Sequence, residues 1–238
     1  MSSVLELLAR AIDLFGRSLP SCLPVSLLAV LAGQAPSAYL MMRGETLALA
    51  APKDPGWFLV MGVTSLINLW AWLFMLHRQR TLVGTALDTV PQAAQRALRQ
   101  VPQAIGLVIT TAALVGVGSL LLLIPGIYLL VALWPAFAIL ATEELGLLAS
   151  LDRALQRVRG RWWPTALLLL VMLSVALGMF VIGGLIGYAI GGRESMASAM
   201  ISGALAAFFP PFVTAVLNVQ HEFLLAESAQ ASSPSSSA

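Results

Sequence analysis

Three observations predict an all-α, polytopic membrane protein with six spans. Of 238 residues, 59% are hydrophobic and only 10% charged, well under the share carried by soluble domains. The apolar residues fall in runs long enough to cross about 30 Å of hydrocarbon. The basic residues sit in short clusters beside those runs, a placement that suits membrane orientation and not nucleic-acid binding. The sequence pI near 9.1 is therefore an orientation signal. One integral membrane domain is expected over residues 1–225, followed by a small-residue, Pro/Ser-rich tail, 226–238, expected to be disordered on the cytoplasmic side. The single cysteine, Cys22, excludes an intrachain disulfide and a cysteine-based zinc site, and reads as a small apolar filler.

The opening stretch has no uninterrupted apolar region after a basic start, so it does not read as a signal peptide. Glu6, Arg10, Asp13 and Arg17 fall on one helical face, opposite Leu5, Leu8, Ile12, Phe15 and Leu19. This predicts an amphipathic helix at the membrane surface. The first span then runs from Leu19 to Met42 and the second from Trp57 to Leu76, ending at "HRQR". The run 101–144 covers 44 positions and is uncharged as far as Glu143. As one helix it would exceed about 60 Å, twice the hydrocarbon thickness. It must therefore be two spans, and Pro125–Gly126 is the expected hairpin tip, because Pro and Gly suit a tight turn. The fifth span runs from Trp162 to Ile190 and the sixth from Ser198 to Asn218. Trp57, Trp162 and Trp163 fall at span ends, as an aromatic belt requires.

With both termini in the cytoplasm, ten arginines lie inside and only Arg43, Lys53 and Arg193 outside. That is a clear positive-inside bias. The surface-helix pattern recurs before the third span (Leu87, Val90, Ala94, Ala97, Val101) and before the fifth (Leu148, Leu151, Leu155, Val158, Trp162). In the latter, Asp152, Arg153, Gln156, Arg157 and Arg159 form the polar side. The strings "RAIDLFGRSLPS", "RALRQVPQA" and "RALQRVRGRWWPT" match locally. They suggest a threefold repeat of an amphipathic surface helix and a two-span hairpin; convergent amphipathicity is the alternative.

The segment "LLLIPGIYLLVALWPAFAILATEELGLLASLDRALQRVRGRWW" resembles the bacterial membrane domain found fused to some glycerophosphodiester phosphodiesterases, which also occurs in stand-alone relatives. The resemblance rests on Ile124–Tyr128, on Glu143 and Glu144, and on Arg159–Trp163. It covers residues 120–165 well and the rest only in pattern. It implies a six-span protein of the bacterial cytoplasmic membrane and no chemistry, because the phosphodiesterase barrel is not part of this sequence.

No P-loop, dinucleotide fingerprint or Ser/His/Asp arrangement is present, and no enzyme activity or cofactor is expected. His77, His221, Glu143, Glu144 and Glu222 could converge on a metal, but lack a ligand spacing, and hydrated interfacial side chains are the favoured reading. No ionisable residue falls near the middle of a span, which argues against ion-coupled transport. Asn68 is the one strongly polar side chain expected at depth, with a bond to a neighbouring helix as its role. Pro210–Pro211 frees the carbonyls of Ala206 and Ala207, either as a packing kink or as a transport site. Gly183, Gly187 and Gly191 face small residues of the sixth span (Ser198, Ser202, Ala206) and predict close helix packing, with a homo-oligomer as the alternative. Arg153, Arg157, Arg159 and Arg161 are the candidate site for acidic lipid head groups or a protein partner. The sequence thus predicts a non-catalytic membrane scaffold or a partner- and lipid-binding module, with a transporter or lipid-handling protein as the alternative. A polar cavity joining Asn68 to Pro210 would favour transport, and a dry interior would favour the scaffold.

Overall fold

The structure, a computed structural model, describes residues 4–43, 54–84, 88–191 and 202–232. Among these residues every regular element is a helix: α1 (Val4–Met42), α2 (Pro55–Val83), α3 (Val90–Leu121), α4 (Leu123–Leu133), α5 (Ala136–Glu143), α6 (Leu147–Val158), α7 (Trp162–Gly191) and α8 (Phe209–Ser232). Six stretches are long and apolar enough to cross a membrane: α1, α2, α3, Leu123–Glu143, Trp162–Ala189 and Ser202–Ala226. The chain is therefore read as a multi-pass membrane protein.

Local chemistry sets the helix ends. Asp54 caps α2 by accepting from the Gly56 amide at 3.0 Å, with Pro55 in the first turn where no N–H is needed. Gly84, at φ 84°, closes the same helix in the left-handed conformation. At α3 the Gln92 side chain accepts from the Thr89 amide at 2.9 Å. The helix runs on through Pro20 and Pro24 in α1 and through Pro102 in α3, so in each the residues expected to form a surface helix are continuous with the apolar stretch that follows. Before α7 the chain does break: Gly160 takes φ 87° between α6 and α7.

The stripes buried in the protein share residues with the apolar faces picked out by periodicity only in α3 and α6; those faces are the ones expected against the membrane surface. In α1 the buried stripe is Leu7, Ala11, Leu14, Ser18, Cys22 and Ser26, while Leu5 is 75% and Ile12 54% exposed. In α3 it is Ala93, Ala97, Gln100, Val101 and Ala104, with Val90 exposed; Leu87 lies outside the described residues. In α6 it is Ser150, Leu151, Ala154 and Val158, with Leu148 exposed. The reason is that hydrocarbon is as apolar as leucine. Burial in a membrane rewards close approach by small residues and sends large ones out to lipid. Within the three matching strings the alanine after the arginine (Ala11, Ala97, Ala154) is buried each time.

The hairpin in the long apolar run is present, but Pro125–Gly126 is not its tip. The chain reverses at Leu122, which is extended at φ −161° and ψ 140°. Pro125 and Gly126 lie in the first turn of α4, where a missing N–H costs nothing. Gly126 is needed for contact: a Cβ there would lie 2.8 Å from the Ser119 Cα. A second interruption, at Trp134–Pro135, divides α4 from α5 and was not foreseen. The tail also differs, since α8 continues to Ser232. The Ala- and Gln-rich residues there extend a helix already nucleated.

α2 occupies the centre, packed against α1, α3, α5 and α8. Most buried residues gather at its C-terminal half, at α5 and at α8. This end carries Arg78, Arg80, Arg96 and Arg157 and is called here the arginine-rich end. At the opposite end Asp54 ties α1 to α2: the Tyr39 hydroxyl donates to it at 2.6 Å and the Arg43 guanidinium lies at 2.8 Å. The Tyr39 hydrogen bond, the Gly56 amide and then Arg43 hold the Asp54 carboxyl below the usual carboxylate range, against a smaller desolvation effect. Lys53 and Arg193 lie outside the described residues.

Candidate functional site

Two features stand out: an apolar groove in the middle of the bundle and a buried polar layer at the arginine-rich end. The groove measures about 750 Å³ and lies between the middle of α2, the apolar part of α3 and the α4–α5 segment. Its walls include Leu69, Trp72, Leu107, Leu133, Trp134 and Phe137, with Leu217 from α8. Ser65, Asn68 and Thr111 are its polar members. Asn68 has the role expected of it: its amide donates to the Ala29 carbonyl at 3.3 Å and the Thr64 carbonyl at 2.9 Å, joining α1 to α2. The Asn68 donors are thus occupied, whereas the indole N–H of Trp134, on the same wall, has no hydrogen-bond partner. Gly116 lies on the wall, and a Cβ added there would meet no atom within 4 Å.

The groove does not extend to Pro210. Helix hydrogen bonding is interrupted there as expected, but neighbouring side chains bond the backbone on both sides of the break, including the released carbonyl of Ala207. The Ser26 hydroxyl donates to the Ala207 carbonyl at 2.6 Å. The Gln79 amide donates to the Pro211 carbonyl at 2.8 Å. Ser26 and Gln79 are both fully buried. The break is a packing device in which α1 and α2 complete the backbone bonding of the last span.

Gln79 is the hub of the polar layer, and the sequence did not single it out. Besides Pro211 it donates to the Ser18 hydroxyl at 3.1 Å and accepts from the Asn218 amide at 3.2 Å. Asn218 donates further to the Leu76 carbonyl at 3.3 Å. Three helices, α1, α2 and α8, thus meet at one amide. In the sequence Gln79 is hidden inside "HRQR", which reads as a solvated span end. Helical geometry instead turns His77 and Gln79 inward while Arg78 and Arg80 remain partly exposed.

The histidines are buried, contrary to the hydrated positions expected of them. His77 Nε2 pairs with the Gln100 amide oxygen at 3.0 Å and is therefore apart from His221. Among the described residues no three His, Cys, Asp or Glu side chains come together as metal ligands would. His221 meets Thr142 through Nε2 at 2.9 Å and faces the Arg157 guanidinium through Nδ1 at 3.4 Å. A guanidinium only donates, so Nδ1 accepts and the neutral ring carries its proton on Nε2. Glu143 completes the group, bonded to Arg157 and 3.5 Å from His221 Nε2.

That arrangement divides the expected arginine cluster. Arg157 is only 7% exposed and is engaged with Glu143, so it is not available to a head group. Arg161 lies over the Phe223 ring at 5.6 Å. Arg153 and Arg159 are exposed on α6 and at its end. The glycine face is found where expected at Gly183, whose added Cβ would sit 3.5 Å from the Ser202 Cα of the last span. Gly187 is buried on the same face, Gly191 ends α7, and Ser198 lies outside the described residues. No family model, no curated protein and no solved structure matches this chain.

Proposed function

We propose that this protein is a non-catalytic, lipid-binding module of the bacterial cytoplasmic membrane, and that the groove beside Asn68 holds an acyl chain drawn from the bilayer. The groove carries this reading. It lies at the depth of hydrocarbon, its walls are largely apolar, and the Asn68 amide hydrogens are already bonded to backbone. A polar solute would leave its own groups unpaired there, whereas a lipid chain brings none. The buried hydrogen bonds of Ser26 and Gln79 to the backbone around Pro210–Pro211 argue against a polar transport path.

The finer architecture belongs to the same proposal. The amphipathic starts of α1 and α3, together with α6, serve as three surface helices of a threefold repeat on the cytoplasmic side, with both termini there. The shared buried alanines support this. So does the resemblance of residues 120–165 to the membrane domain of glycerophosphodiester phosphodiesterases. Arg153 and Arg159 are positioned to hold anionic head groups beside that face, each worth about 1 kcal/mol.

Lipid retention tests the proposal. Gly116→Phe fills the groove without a collision at the backbone. Native mass spectrometry of protein purified in mild detergent should show lipid bound to the parent and depleted in the variant, at unchanged thermal stability. Equal lipid occupancy in the two proteins would remove the groove as the site.

A further inference from the structure

We infer that the α3–α4 hairpin is re-entrant, so that its tip at Leu122 ends inside the hydrocarbon among acyl chains, short of the surface opposite the arginine-rich end. The inference rests on reading the chain as a membrane protein, but not on occupancy of the groove.

The distance constraint comes from Trp162. Its indole N–H donates to the Tyr128 carbonyl at 3.3 Å, and the two rings stack at 6.1 Å with 8° between their planes. Trp162 opens α7 directly after Arg159, Gly160 and Arg161. The same start of α7 is fixed at the arginine-rich end by two further contacts. Arg161 lies over Phe223, and Thr165 accepts from the Gln220 amide at 3.2 Å. Two arginines and a tryptophan pair mark a membrane boundary. Tyr128 is therefore one indole side chain away from that boundary.

The tip follows within the same α4 helix. Tyr128 and Leu122 are six positions apart in the sequence, which is about 9 Å of helix. Hydrocarbon is about 30 Å thick, so this length does not carry the tip to the far surface. α3 and α4–α5 must then lie strongly tilted, as chains longer than their depth do.

The composition of the tip agrees. Leu120, Leu121, Leu122, Leu123 and Ile124 are five consecutive large aliphatic residues, each between 67% and 88% exposed. No residue from 101 to 142 is charged. A loop that entered water would expose this run with nothing polar to shield it. The reversal takes only Leu122 out of helix, and its amide still donates to the Gly118 carbonyl at 3.1 Å. Little backbone is left unbonded, which is the condition for a turn within hydrocarbon. Gly118 and Gly126 make so short a turn possible by letting α3 and α4 touch at their backbones.

Spin-label depth in liposomes decides the matter. In a Cys22→Ala background, single cysteines replace Leu122, Ile124, Phe58 in the first turn of α2, and Ala149 on the exposed side of α6. Nitroxides at 122 and 124 should be accessible to oxygen and shielded from a water-soluble nickel complex. They should read about 10 Å deeper than the label at 58, roughly a third of the hydrocarbon thickness. The label at 149 should be reached by nickel. Nickel access at 122 and 124, or a depth equal to that at 58, would overturn the inference by placing the tip at the far surface. Shielding from both reagents would overturn it too, because the tip would then be covered by protein and not by lipid.

Discussion

Replacing Gln79 with Leu removes the amide that joins α1, α2 and the last span. Three side-chain bonds are lost, to Ser18, Pro211 and Asn218. Every partner keeps another bond: Ser18 donates to Phe15, Asn218 to Leu76, and the Pro211 carbonyl also accepts from Thr214. The loss is therefore one of bond strength and not of stranded groups. Interhelical hydrogen bonds in membranes average about 0.6 kcal/mol, with a maximum near 1.7. The three together give about 2 kcal/mol and at most about 5. Leu is close in size to Gln, so cavity formation adds little. Equilibrium unfolding in mixed micelles should show a loss in this range, with helix content unchanged. Stability equal to or above that of the parent would refute the hub, since it would mean that the layer is no stronger than apolar packing.

Arg157→Gln should destabilise by about 3 kcal/mol, because it strands the largely buried Glu143, while Arg153→Gln with Arg159→Gln should leave unfolding unchanged and weaken retention by anionic nanodiscs. Comparing unfolding and retention for the two sets separates the structural arginine from the exposed ones. Asp54 has a lowered carboxyl pKa in the fold, so its contribution is full above the ordinary carboxylate value of about 4 and is lost as pH falls through the lower folded value. Asp54→Asn should accordingly flatten the acid limb of a stability profile; an unaltered limb would show that Tyr39 and Arg43 do not act through this carboxylate. Gly183→Leu should cost about 1–3 kcal/mol in thermal denaturation by forcing α7 off Ser202. An intact melting temperature with a changed oligomeric state would assign that face to a second copy.

The spans were legible because crossing hydrocarbon fixes length and composition at once, as the uncharged run from Trp57 to Leu76 shows. The inward faces were not. Hydrophobic periodicity picks out Leu5 and Ile12, which stay on the outside, whereas in a lipid solvent Ala11, Ser18 and Ser26 do the packing. A search for small residues at steps of three and four would have found the α1 stripe. Gln79 and Arg157 were obscured for a related reason: each sits among charged neighbours, and only the helix register shows which member turns inward. Pro125–Gly126 signalled a reversal correctly but not its position, since Pro also suits the first turn of the helix that follows. The groove had no sequence signal, because its walls are ordinary span residues brought together by the α2–α3–α4 arrangement.

The most direct test of an acyl chain in the groove is quenching of Trp72 by lipids brominated near the middle of the chain. Trp72 lines the groove, and Gly116→Phe would fill the space before it. Parent protein in brominated liposomes should be quenched more strongly than Gly116→Phe, and the difference should vanish when Trp72 and Trp134, the two groove tryptophans, are replaced by Phe in both. Equal quenching of parent and Gly116→Phe would contradict the account, because no chain would then be reaching the groove.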